Sequence, residues 1–133
     1  MRYMMLVYSI ETPNGPTPEV DEQVRAAHLR VMTEASRKGV LVAAEPLSPA
    51  GTATTVRVHN SRVLVTDGPF AETKEQLAGY YIREGENLDE AMDWAAKIPT
   101  ACRGAEGSIE IRPMPGFSVP VDLSRERSSE VNG

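Results

Sequence analysis

The sequence holds one cysteine, Cys102, so no disulfide can form within the chain, and nothing near it has metal-ligand spacing for a structural zinc. Long hydrophobic runs are missing as well. The apolar stretch after Met1-Arg2-Tyr3 is soon ended by Glu11 and Pro13, too short for export or for spanning a membrane, and a cytoplasmic protein is expected. Basic clusters are absent: 19 acidic residues outnumber 14 Lys and Arg, for a net charge of −5. Nucleic-acid binding, which draws on clustered cations, is therefore not expected. There is no phosphate-cradling glycine loop, no nucleophile elbow and no histidine pair at zinc spacing, so neither a metal nor any other cofactor is expected.

What is present is an ordinary globular composition, 41% hydrophobic and 25% charged over 133 residues, enough for one domain with a single core. Tyr3 to Ser9 reads as a strand, and Glu11 to Pro16 as turn chemistry. Thr17 caps a helix with Pro18 at its first position; Val20, Val24, Ala27, Val31 and Ala35 form its apolar face, and Gly39 ends it. Val40 to Ala44 is a second strand. Thr54 to Val58 and Arg62 to Thr66 make a hairpin about Asn60-Ser61. Gly79 to Arg83 is a strand, and a second helix begins near Asn87, with Glu90 placed as in a capping box, and stops at Pro99. Ser108 to Arg112 closes the pattern. Residues 117–133 carry no apolar periodicity and read as a flexible tail, with a strap through Val119, Val121 and Leu123 as the alternative.

The order β-α-β-β, then β-α-β, implies an α+β, ferredoxin-like split βαβ domain with both helices on one face of an antiparallel sheet. Met4 to Tyr8, Val40 to Ala44 and Val63 to Val65 are apolar on both faces. Helices cover one side only, so the other is expected to meet a second copy in a homodimer.

The stretch Asp67 to Glu75 is the densest in chemistry. A β-branched run stops at Asp67-Gly68-Pro69, where an aspartate that bonds its own backbone, a glycine and a ring-locked φ make a stiff corner presenting Asp67, Glu72, Lys74 and Glu75. Asp67 to Tyr81, DGPFAETKEQLAGYY, resembles the signature of the DGPF branch of the YCII-related (YciI-like) proteins, and the likeness runs from Met4 to about Pro113. The resemblance implies a YCII-type domain over residues 1–116, assembled as a dimeric α/β barrel. It implies little about activity, since most members have none assigned.

Relatives with known activity are thought to use a His–Asp pair, and Arg25-Ala26-Ala27-His28-Leu29 matches their histidine setting on the first helix. A half-buried imidazole beside a carboxylate suits acid–base work. Their aspartate lies in an Asp-Pro step after the second helix; here that step is Ile98-Pro99, and Asp67 is the substitute. Glu72, Lys74 and Glu75 are candidate substrate-binding groups. So are Tyr80 and Tyr81, which as strand neighbours point to opposite faces, one into the core and the other into a cleft. Two functions follow. One is a cofactor-free cleft for a small molecule, with His28 and Asp67 performing proton abstraction, elimination or isomerisation. The other is a regulatory or partner-binding module, because DGPF proteins are often encoded beside extracytoplasmic-function sigma factors.

Overall fold

Burial alternates strictly along the first strand, β1 (Arg2–Ser9): Tyr3, Met5, Val7 and Ser9 are buried, and Met4, Leu6 and Tyr8 half-buried. This is the pleat of a strand with one face on a core. The structure, a computed structural model, describes residues 1–100 and 106–116. The tail expected over 117–133 and Cys102 lie outside the described residues.

Helix α1 (Pro18–Arg37) starts where the cap residue places it: Thr17 Oγ1 accepts a hydrogen bond from the Val20 amide at 3.3 Å, and Glu19 and Asp21 lie in the positive first turn. Glu34 and Lys38 pair at 3.3 Å one turn apart, and Gly39, at φ +70°, carries the chain out of the helix. Strand β2 (Leu41–Pro46) follows, then β3 (Thr54–His59), β4 (Arg62–Asp67) and β5 (Gln76–Glu84). Asn87 caps α2 (Leu88–Ala95) by accepting from the Glu90 amide at 2.9 Å. The Glu90 carboxylate returns to the Glu86 amide at 3.0 Å, one residue upstream of an ordinary capping box. Strand β6 (Gly107–Met114) is last.

The main sheet has four antiparallel strands in the order β2-β5-β1-β6, consistent with the ferredoxin-like arrangement. β1 and β2 are not neighbours, because β5 returns between them; that is the split βαβ unit. β5 runs longer than its sequence pattern suggests, from Gln76, because β1 and β2 pair with it on both sides.

The hairpin departs from expectation. Val63 to Val65 do not sit in the main sheet. β3 and β4 form a separate two-stranded ribbon inserted between β2 and β5. Pro46, at the end of β2, and Pro49 interrupt the extended run, so β3 is not laid against the free edge of β2.

Both helices pack on one face. Tyr3, Met5, Val7 and Tyr81 from the sheet meet Val31 and Ala35 of α1 and Ala91, Trp94 and Ala95 of α2, with Ile98 beyond. Met5 is wholly buried there. Met4, Leu6, Tyr80, Ile82 and Ala43 lie on the other face and are half-buried. Among the described residues no helix is long and apolar enough to cross a membrane.

Candidate active site

Helix α1 meets the sheet through its C-terminal half only. Val31 and Ala35 are its buried residues, whereas His28, Val24 and Val20, one, two and three turns earlier, are half-buried. The N-terminal half therefore stands off the sheet, and a cavity of about 530 Å³ opens beneath it. Small residues make the floor. Ala44, Ala78 and Gly79 line it, and a Cβ on Gly79 would come within 2.8 Å of the Glu45 carbonyl and 3.2 Å of Pro46 Cα. The register of β1 against β5 shifts here: Val7 pairs with Gly79 and Tyr8 with Leu77, leaving Ala78 as the extra residue of a bulge. Its carbonyl accepts from the Leu47 amide at 2.8 Å, which ties the loop after β2 to the cavity wall.

The lining is mostly aliphatic: Val7, Val24, Leu29, Met32 and Leu47 contribute. Asp21 and Arg25, paired at 3.0 Å along α1, also line it. On the cavity wall His28 meets Tyr81. His28 Nδ1 and the Tyr81 hydroxyl share a short hydrogen bond, and the two rings lie 20° from parallel with centroids 5.8 Å apart. Burial holds the His28 pKa below its ordinary value, because removing water penalises the imidazolium. Burial thus favours the neutral ring over the imidazolium.

Tyr81 is held in turn by its neighbours. On the central strand β5 it sits between Met5 and Ala44, and it is 3% exposed. The Trp94 ring meets it edge-on, at 84° with centroids 5.3 Å apart. The Arg83 guanidinium lies over Trp94 at 4.8 Å and donates to Glu90 Oε1 at 3.1 Å. The amide of Glu86 and the charge of Arg83 keep the Glu90 carboxyl below its usual range. A continuous stack thus runs from Arg83 through Trp94 and Tyr81 to His28.

The structure brings together two of the residues singled out in the sequence, His28 and Tyr81, on the cavity wall; Tyr80 borders the cavity from a position that alternates to the opposite face of the sheet. It does not bring Asp67 to them. Asp67 ends β4, opposite Thr54, and is exposed; Glu72 and Lys74 are exposed in the following loop, and none of these lines the cavity. Glu75 also lies outside it and accepts from Ser108 Oγ at 3.1 Å. The corner works as a clasp. Gly68, at φ +96°, donates its amide to the Ala53 carbonyl at 2.7 Å and accepts from Thr55 Oγ1 at 2.8 Å, while Arg57 reaches the Phe70 carbonyl at 3.1 Å. Trp94, Arg83, Met32 and Leu47 are not among the candidate residues of the sequence reading. The legible signal was that a strand central in a ferredoxin-like order must place alternate residues under the first helix, which selects Tyr81 over Tyr80. Among the described residues no three His, Cys, Asp or Glu side chains gather as a metal site.

A family model described as YCII-related domain matches residues 1–115. A relative from Rhizobium meliloti (strain 1021), "Uncharacterized protein R00369", is 37% identical over 115 residues, covering 86% of this chain and 92% of the relative.

Proposed function

The chain belongs to the YCII-related family, and on that premise we propose that the cleft under α1 binds a small, largely apolar metabolite and moves a proton on it without a cofactor. The Asp67 to Tyr81 motif supports a place in the DGPF branch. The observation that carries the reading is the desolvated His28 bonded to Tyr81 on the wall of an apolar cavity. In this reading Tyr81 takes the role of orienting His28 that Asp67 was expected to have.

The chemistry follows from the pair. If the Tyr81 hydroxyl donates to Nδ1, the neutral ring carries its proton on Nε2 and serves as a hydrogen-bond donor to the ligand. If Nδ1–H donates to the tyrosine oxygen, Nε2 carries the lone pair and serves as a base. Proton abstraction beside a carbonyl, elimination and isomerisation each require one such group near neutral pH and no nucleophile. The aliphatic lining favours the carbon skeleton of the ligand, and the few polar groups orient it.

A ligand-observed NMR screen of small carboxylates, lactones and phenols tests the reading, with deuterium uptake from solvent into each binder as the readout of proton transfer. Exchange by the wild type is expected to fall about 10²–10⁴-fold in His28→Gln, the usual contribution of a general acid or base, and to persist in Asp67→Asn. Exchange lost in Asp67→Asn and kept in His28→Gln would overturn the assignment. A screen with no binder would leave a protein-partner role tied to sigma-factor signalling as the reading to pursue.

A further inference from the structure

Arg83 is the one charged side chain buried among the described residues, 3% exposed on a sheet face that otherwise offers the helices Tyr3, Met5, Val7 and Tyr81. Its burial is only partly compensated. One terminal nitrogen of the guanidinium donates to Glu90 Oε1, but Nε has no hydrogen-bond partner among the described residues, and neither has Nε1 of the Trp94 indole it covers. A buried ion pair with an unpaired donor adds little to stability, and an apolar side chain of similar length would pack there at lower cost. Arg83 is better explained by what it holds in place.

What it holds is Trp94. Glu90 and Trp94 are four residues apart and share one face of α2, while Tyr81 and Arg83 are two apart and share one face of β5. The guanidinium engages both helix positions at once, bonding Glu90 and lying 4.8 Å from the centre of the indole. A helix on a purely apolar face slides or rotates at little cost, whereas a planar fork with fixed donor directions selects one register. The same indole meets Tyr81 edge-on. Tyr81 needs that support because it lines the cavity, and a ring beside open volume keeps its place only against a rigid neighbour.

We infer that Arg83 is a positioning residue: pinned by Glu90, it sets the indole of Trp94, and the indole sets the Tyr81 hydroxyl on His28 Nδ1. As a functional device this rests on the role proposed above for the His28–Tyr81 pair. Arg83 does not line the cavity, so it acts through the intervening rings and touches no ligand.

The test is an NMR titration of the two imidazoles in the ligand-free chain, with His59, exposed on β3, as the internal reference. Arg83→Met keeps the length of the side chain and removes its charge and fork. In that variant Tyr81 should drift, water should reach His28, and the His28 pKa should rise by about half a unit or more. His59 and the circular dichroism spectrum should not change, and the other charged residues lining the cavity, Asp21, Arg25 and Glu45, are left in place. Added to Tyr81→Phe, the same substitution should move His28 much less, because the hydroxyl it acts through is gone. If Arg83→Met fails to fold, Arg83→Lys decides: it keeps the charge without the planar fork, and His28 should shift in the same direction. An unmoved His28 in the folded variant would overturn the inference by showing that Arg83 only fastens α2 to the sheet. An equal shift with and without the Tyr81 hydroxyl would overturn it by showing another route. The titration needs no ligand, so a screen that finds no proton transfer sinks the proposed chemistry without deciding this result.

Discussion

The Asp67–Glu75 corner packs four ionisable side chains into nine residues, whereas the cleft under α1 centres on one histidine and one tyrosine. The corner's Asp67, Glu72 and Lys74 stand in water and its backbone is spent on a clasp. The cleft has less charge. Its apolar lining removes water from His28, shifts its proton affinity and leaves a volume that a ligand can fill. The comparison teaches that a candidate site is marked by desolvation rather than by density of charge, because solvent screens exposed charges from one another.

The comparison breaks most readily at Tyr81. Tyr81→Ala removes a ring packed between His28 and Trp94 and is expected to cost about 3–5 kcal/mol in urea denaturation, as buried aromatic deletions do. Phe70→Ala, at a ring 75% exposed in the corner, should stay within about 0.5 kcal/mol. Equal losses at the two sites would erase the distinction.

A smaller effect is expected at the cleft floor. Gly79→Ala drives a methyl group against the backbone of Glu45 and Pro46, and the overpacking should cost about 1–3 kcal/mol. Gly51→Ala, where a Cβ meets nothing within 4 Å, is the matched control and should fall near zero in the same thermal melts.

The subtlest difference is in pH dependence. The folded pKa of His28 is lowered by burial from 6.5. Between that lowered value and 6.5 the unfolded chain binds a proton that the folded chain does not, so stability rises with pH through this window and levels off above it. On acidification the contribution is lost below 6.5. His28→Gln should flatten that part of the stability curve, and Asp67→Asn should retain it. Parallel curves for His28→Gln and wild type would assign the slope to other groups.

Much of this was legible beforehand because it is local. Thr17 with Pro18, Asn87, Gly39 and the Asn60-Ser61 turn act within a few residues, and the structure has each of them starting or ending an element where the sequence places it. The two-residue period of β1 and the stripe through Val31 and Ala35 likewise need no distant partner to be read. Pairing across the sheet is another matter. His28 and Tyr81 are 53 positions apart, and they meet because β5 inserts between β1 and β2 while α1 lifts off the sheet. No local propensity encodes that.

The sequence by itself thus determined the helices, the strands, the corner and the candidacy of His28, since caps, turns and periodicity are short-range consequences of side-chain chemistry. Only the tertiary structure decided that Tyr81 rather than Asp67 stands beside His28, and that Val56, Val58, Val63 and Val65 share one open face. Both depend on strand order and register, which gather residues from distant parts of the chain into one environment and set how much water each retains.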